Sequence, residues 1–185
     1  MVTNITILSI LEPLLYKNEF IHLAEISKEA KIPHPTARNY LNDLEKLGFL
    51  TKKIKGRLTT YMLNYSNPLT INLIVMAEKN KLIKESSKHL ILKEIISFLN
   101  KIENDSIIFG SSARNIKEAN DADVLIIGNI DKKEFIDFEK KFGIHFHIIH
   151  VKKLEEINKG LKQEIKEKHL IIKNSEKFIK WMLGN

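Results

Sequence analysis

The 185-residue sequence predicts an α+β protein made of two small domains joined by a helical segment. Three observations support this fold class. Apolar residues recur at helical spacing in the first third of the chain, and two basic, strand-like segments follow around residue 56. Beyond residue 104, short apolar segments typical of a mixed β-sheet alternate with polar ones. The predicted domains are residues 1–66 and 104–185, with residues 67–103 forming the helices between them.

The composition is that of a globular protein, with 43% hydrophobic and 29% charged residues. No segment approaches the ~20 uninterrupted apolar residues that a membrane span requires, and the N-terminus lacks the features of a signal peptide. We therefore expect a cytoplasmic protein with no membrane partner. Because the sequence has no cysteine, any metal would be bound by oxygen or imidazole ligands.

The net charge of +7 favours a polyanionic partner, because a protein that neutralises phosphates releases their counterions. A general bias of the composition towards lysine would give the same net charge. The positions of the charges must therefore decide between the two explanations.

Apolar spacing of three and four residues predicts a first helix over residues 3–16, which Pro13 should kink or shorten. Residues 20–23 are extended or lead directly into a second helix over residues 23–30. That helix should end near Pro33, because the residue before a proline disfavours helical geometry.

A third helix begins near Pro35, where a missing N–H costs nothing, and ends at Gly48. Its predicted buried side consists of Ala37, Tyr40, Leu41, Leu44 and Leu47. The opposite side carries Thr36, Arg38, Asn39, Asn42 and Asp43. Two short helices joined by a tight turn form a helix-turn-helix, whose second helix enters the major groove of DNA.

Residues 49–54 and 58–64 predict a β-hairpin with a basic tip at residues 55–57. Its cations are Lys52, Lys53, Lys55 and Arg57. Its apolar side consists of Phe49, Leu50, Ile54, Tyr61 and Leu63.

The order of helix, helix, recognition helix and basic hairpin over residues 3–65 resembles the winged-helix family of DNA-binding domains. The resemblance implies double-stranded DNA as a partner. Arg38, Asn39 and Asn42 would contact base edges. Thr36 and the hairpin cations would contact phosphates. Winged helices also serve as protein-interaction modules, and that alternative stays open.

Residues 70–102 have a helical pattern, with the polar segment 79–88 as the expected position of a break. Residues 70–83 are apolar around most of the helix circumference. A helix of this kind usually buries itself against a partner. We therefore expect a homodimer, which suits a helix-turn-helix protein that reads paired half-sites.

The second half places a Gly-Ser segment, residues 110–114, after an apolar strand, residues 106–109. The next strand begins with Asp121 and Asp123, whose side chains leave the same face and whose backbone positions are about 6.5–7 Å apart. Paired carboxylates suit a hard cation such as Mg²⁺. A Gly-Ser turn offers N–H groups and a hydroxyl to phosphates.

This combination resembles the nucleotidyltransferase superfamily that includes polymerase beta, and especially its small stand-alone members. The resemblance implies a nucleoside triphosphate and Mg²⁺ as cofactors. It implies nucleotide contacts at Gly110, Ser111, Ser112 and Arg114. Asp121 and Asp123 would be the catalytic, metal-binding carboxylates.

The family's third carboxylate belongs on a later strand, but the predicted strand 144–151 contains no acid. His145 or His147 takes that place, so the implied metal ligands are Asp121, Asp123 and His147. Imidazole is a poorer Mg²⁺ ligand than carboxylate, which leaves catalysis open. His145 and His147 share a strand face and His150 points the other way, so polar side chains on a half-buried strand are favoured over a transition-metal site.

The C-terminal region predicts a helix over residues 154–165, an apolar strand or buried connection at residues 170–172, and an amphipathic end at residues 178–182. Taken together, the sequence predicts a DNA-binding transcriptional regulator whose nucleotidyltransferase-like domain senses a nucleotide or serves as a scaffold. An active, metal-dependent nucleotidyltransferase that modifies protein, RNA or a small molecule is the first alternative. A toxin–antitoxin component is the second.

Overall fold

The computed structural model describes residues 6–113 and 121–184, apart from the side chain of Thr6. It confirms the α+β class. The chain forms two compact units, residues 1–81 and 82–185, and the division falls inside one helix. Within the described residues, no helix is both long and apolar enough to span a membrane.

The first unit contains short helices and a small antiparallel sheet. Its elements are α1 (Thr6–Ser9), a 3₁₀ turn (Glu12–Leu14), β1 (Ile21–His22), α2 (Leu23–Ala30), α3 (His34–Lys46), β2 (Leu50–Lys55), β3 (Leu58–Leu63) and α4 (Thr70–Ser86), which extends beyond it. The strand order is β1-β3-β2.

The structure confirms α2, α3 and the β2–β3 hairpin. The first predicted helix is shorter than expected, because α1 ends at Ser9 and the chain re-forms a 3₁₀ turn with Pro13 at its start. Lys55 pairs with Leu58, which leaves Gly56 and Arg57 as the hairpin turn. Gly56 has a φ of +59°, a value that glycine adopts readily.

The core of the first unit comes mainly from the predicted apolar positions. Its most buried large side chains are Ile10, Leu11, Leu14, Ile26, Leu41, Tyr61, Leu63 and Ile74. The prediction that Ile54 lies on the apolar side of the hairpin was wrong. Ile54 is 67% exposed, because it lies next to the hairpin tip and opposite Thr59.

Within residues 82–113 and 121–184, the second unit contains a four-stranded mixed sheet and four further helices. Its elements are α5 (Leu90–Lys101), β4 (Asp105–Phe109), β5 (Asp121–Ile127), α6 (Lys132–Phe142), β6 (His145–Val151), a 3₁₀ turn (Leu154–Glu156), α7 (Lys159–Glu167), β7 (His169–Ile171) and α8 (Ser175–Leu183). The strand order is β6-β5-β4-β7, and only β5 and β6 pair in parallel.

Parallel pairing of β5 and β6 requires a crossover, which α6 supplies. Asp131 caps α6, accepting a hydrogen bond from the N–H of Lys133, and α6 contributes Phe135 and Phe138 to the core. Leu92 and Ile95 of α5 pack in the same hydrophobic cluster, so α5 belongs to the core of the second unit. The predicted break lies at the end of the polar segment, because α4 continues to Ser86 and α5 begins at Leu90.

Candidate nucleic-acid interface and nucleotidyltransferase-like site

The outer side of α3 carries the predicted base-reading residues. Arg38 and Asn39 are exposed, and Thr36 is half-buried. Asn42 has a different environment, because its Oδ1 accepts hydrogen bonds from Lys52 Nζ at 2.7 Å and from the Tyr61 hydroxyl at 2.9 Å. Lys52 and Tyr61 belong to the hairpin, so Asn42 ties α3 to the hairpin.

Tyr61 is suited to this connection because its side chain is fully buried in the first unit. Burial is the main cause that raises the pKa of Tyr61 above its ordinary value. The phenol is protonated at neutral pH at either value, so its hydroxyl can donate to Asn42. Both lone pairs of the Asn42 carbonyl oxygen are therefore used within the domain.

The hairpin cations fall into two groups. Lys52 bonds to Asn42, and Lys53 Nζ lies 3.9 Å from the centroid of the Phe20 ring in a cation–π contact. Lys55 and Arg57 are exposed at the tip, and their side chains make no ion pair or hydrogen bond with the part of the chain that the structure describes. The two hairpin cations whose side chains have no partner among the described residues are therefore those at its tip.

In the second unit, Gly110 follows β4 and lies directly against Asp123 of β5. Gly110 has a φ of +67°, and a Cβ atom there would be 2.9 Å from Asp123 Oδ2. The close approach and the positive φ both require glycine. Its N–H donates to the Lys168 carbonyl at 3.1 Å, which attaches the turn to the end of α7 and occupies a donor predicted for a phosphate.

The two serines of the turn differ in exposure. Ser111 is exposed, whereas Ser112 is fully buried. The Ser112 hydroxyl donates to the Phe109 carbonyl at 2.8 Å and accepts from the Asp123 N–H at 3.2 Å. The proton of the Ser112 hydroxyl is therefore used inside the fold, and a nucleotide contact at Ser112 stays a prediction. Arg114 lies outside the described residues.

Parallel pairing aligns Asp121 with His145 and Asp123 with His147. His147 Nδ1 lies 3.0 Å from Asp123 Oδ1, so the imidazole is a hydrogen-bond partner of the carboxylate. Among residues 6–113 and 121–184, no three His, Asp or Glu side chains are arranged to hold a metal ion. Asp121, Asp123 and His147 are therefore not brought together as a three-ligand metal site, and imidazole is a poorer Mg²⁺ ligand than carboxylate.

Sequence reasoning missed Glu164 on α7. Its Oε1 is 3.5 Å from the point that a Gly110 Cβ would occupy, which places a further carboxylate beside Asp123 Oδ2. Pairing of β4 with β7 and the Gly110–Lys168 hydrogen bond bring the end of α7 to this position. No spacing in the sequence signals the contact, because it depends on how β7 pairs.

Comparison with known families agrees with this geometry. Residues 90–180 match the family model described as a nucleotidyltransferase domain. Residues 7–53 match the model described as an IclR helix-turn-helix domain. The two matches confirm the predicted recognition: the chain is similar to a helix-turn-helix domain followed by a nucleotidyltransferase domain.

Two solved structures are also similar to the chain. Sso10a-2, a DNA-binding protein from Sulfolobus solfataricus, is 22% identical over 56% of this chain and 100% of that chain, with a TM-score of 0.35. TrmBL2, an archaeal chromatin protein with a novel mode of DNA binding, is 17% identical over 89% of this chain and 72% of that chain, with a TM-score of 0.27. No curated protein matches the chain.

Proposed function

We propose that the protein is a DNA-binding transcriptional regulator whose second unit binds a nucleotide without turning it over. The single observation that carries the proposal is the junction at Asn42, where Lys52 and Tyr61 hold the hairpin against α3. The junction combines the helix and hairpin into one preformed surface, and its exposed Arg38 lies on the helix that the helix-turn-helix match covers.

The contacts assign different roles to the residues of this surface. Arg38 and Asn39 would read base edges, because both are exposed on α3 and have the side chains that recognise guanine and adenine. Asn42 would position the hairpin. Lys55 and Arg57 would bind phosphates, since their charges are not neutralised within the described residues.

The proposed dimer uses α4. Met76 and Ile83 are 55% and 49% exposed and stand seven residues apart, so they lie on one side of the helix. Large apolar side chains exposed at this spacing suit the same helix of a second copy. A twofold pair of first units would read two half-sites on DNA.

In the second unit, the exposed Ser111 beside Gly110 is the group available for a nucleotide phosphate. The hydrogen bond between His147 and Asp123 favours binding over catalysis, because it uses a carboxylate oxygen that the family assigns to metal. Glu164 favours the alternative, an active nucleotidyltransferase, because it supplies a carboxylate near Asp123.

The DNA-binding proposal is tested by the salt dependence of duplex binding, measured as fluorescence anisotropy of a labelled duplex. Each neutralised phosphate contributes about 0.9 to the slope of log K against log salt, so the Lys55→Ala/Arg57→Ala variant should reduce that slope by about 1.8. Lys132→Ala/Lys133→Ala removes a matched pair of exposed lysines from the second unit and should leave the slope unchanged. Equal slopes for the two variants would rule out the hairpin as the phosphate-binding element.

The nucleotide proposal separates binding from turnover. Calorimetry should detect binding of ATP or CTP that Ser111→Ala weakens. When labelled nucleotide is incubated with Mg²⁺ or Mn²⁺, the wild type should form no more product than an Asp121→Ala/Asp123→Ala variant. Product formed only by the wild type would establish the catalytic alternative, and replacing Glu164 by Gln would then test its part in it.

A further inference from the structure

A second polar surface in the second unit lies at the other end of the sheet from Gly110. It is an open cleft of about 500 Å³ whose walls include Lys152, Lys153, Lys177, Lys180 and Trp181. Strand β4 begins at this end of the sheet with Asp105, which pairs with Ile127. Gly110 follows the last residue of β4 at the opposite end. At about 3.3 Å per residue, the two sites are roughly 16 Å apart, so the basic cleft is separate from the Gly-Ser turn.

The surplus positive charge of the second unit is concentrated in the segment that forms this basic cleft. Residues 152–185 contain nine lysines and five glutamates, whereas residues 82–151 contain ten basic and eleven acidic residues. Four of these nine lysines and two of the five glutamates line the cleft, which gives it a net positive charge that suits a polyanion.

The lysines of the basic cleft are not all neutralised. Lys177 pairs with Asp105 at 2.7 Å, and Lys180 pairs with Glu176 at 2.6 Å. Lys152 and Lys153 are exposed and form no ion pair with any described residue, although Glu155 lies on the same wall. Two adjacent lysines are thus available to phosphates.

Trp181 gives the basic cleft an aromatic wall. The side chain is half-buried, and Lys162 Nζ lies 5.0 Å from the centroid of the ring. Burial, followed by the charge of Lys162, lowers the pKa of Lys166, which agrees with a crowding of cations on this side of α7. An indole among lysines is a surface on which a nucleic-acid base stacks while its phosphates meet cations.

We propose that the basic cleft binds single-stranded nucleic acid, with phosphates at Lys152 and Lys153 and an unpaired base against Trp181. The size of the cleft is that of a small-molecule pocket, which suits one or two nucleotides. A base within a duplex is stacked on its neighbours and is not free to lie against an indole. The single strand is therefore favoured over the duplex, and this second binding activity does not depend on duplex binding by the first unit.

Trp181 is the only tryptophan in the sequence, so its fluorescence reports directly on the basic cleft. Oligothymidylate of about 12 nucleotides is the probe. It should quench the fluorescence of the full-length protein, and added salt should reverse the quenching. Inorganic polyphosphate, which has no bases, should bind more weakly. Absence of quenching, or equally tight binding of polyphosphate, would overturn the proposal.

Variants test whether oligothymidylate binds in the basic cleft and exclude a contribution from the hairpin of the first unit. In a Lys55→Ala/Arg57→Ala background, Lys152→Ala/Lys153→Ala should weaken oligothymidylate binding at low salt and reduce the salt slope by about 1.4. Lys132→Ala/Lys133→Ala is the matched control and should change neither. If the two lysine pairs have equal effects, the strand does not bind in the basic cleft.

Trp181→Ala should weaken binding about tenfold or more in an anisotropy assay with labelled oligothymidylate, and Trp181→Phe should retain most of the affinity. Circular dichroism checks that both variants are folded. Because Lys152 and Lys153 are exposed, their double variant keeps the test valid even if Trp181→Ala unfolds. A first unit that fails to bind duplex DNA would leave the fluorescence result unchanged, so failure of one proposal is distinguishable from failure of the other.

Discussion

The outer side of α3 and the Gly-Ser turn both lie in segments that match family models, yet they leave different groups available to a ligand. On α3, one polar side chain, Asn42, is used to hold the hairpin, while Arg38 and Asn39 remain exposed. At the turn, the Gly110 N–H, the Ser112 hydroxyl and one oxygen of Asp123 are all bonded within the protein. A sequence motif identifies residue types, but contacts decide which of them can bind.

The largest effect should come from Gly110→Ala, which tests how tightly the turn is closed. The new Cβ would approach Asp123 Oδ2 within 2.9 Å in a strained backbone conformation. We expect the free energy of unfolding of the second unit to fall by about 2–4 kcal/mol in urea denaturation.

Gly56→Ala is the matched control for this change, because its φ is also positive but no atom lies within 4 Å of the added carbon. Gly56→Ala should lower the free energy of unfolding by about 1–2 kcal/mol. Equal costs at the two glycines would show that the approach of Asp123 does not matter, and the turn would then be open to a ligand.

The two serines should separate structural from binding roles. Ser112→Ala leaves the Phe109 carbonyl and the Asp123 N–H without their partner and should cost about 1–3 kcal/mol of stability. Ser111→Ala should change stability by less than about 0.5 kcal/mol, since the side chain is exposed, but should weaken nucleotide binding. Denaturation and calorimetry on both variants check this, and a reversed pattern would contradict it.

The smallest effect concerns His147. His147→Asp restores a carboxylate beside Asp123, and oxygen ligands suit Mg²⁺ and Mn²⁺. Either ion, at a few times its dissociation constant, should stabilise this variant by about 1 kcal/mol and raise its thermal midpoint by a few degrees.

His150→Asp, on the same strand but nearer its other end, is the control and should not respond to the ions. If Mn²⁺ raises the thermal midpoint of the wild type as much as that of His147→Asp, the imidazole does not impair the metal site.

The sequence was most informative where local spacing determines the structure. The apolar periodicity of α2 and α3 and the basic turn at Gly56 correctly predicted α2, α3 and the β2–β3 hairpin. Helix α6 was missed although its signals are local: Asp131 at the cap and Phe135 and Phe138 at helical spacing.

Other features could not be read from the sequence because they depend on tertiary contacts. Glu164 reaches the Gly-Ser turn only because β7 pairs with β4. The use of Asn42 depends on the register of the hairpin, which brings Tyr61 opposite Lys52. Exposure of Ile54 follows from its place beside the hairpin tip, outside the core.

The contrast between Asn39 and Asn42 tests the central claim most directly, and a single measurement decides it: the base preference of each alanine variant, selected from a randomised duplex library. If Asn42 positions the hairpin, Asn42→Ala should weaken binding to all sequences alike and keep the wild-type preference, whereas Asn39→Ala should relax the preference at one base pair, by about 1–3 kcal/mol. An Asn42→Ala protein that loses its preference at one base pair while binding other sequences as tightly as before would show that Asn42 reads a base, and would contradict the account.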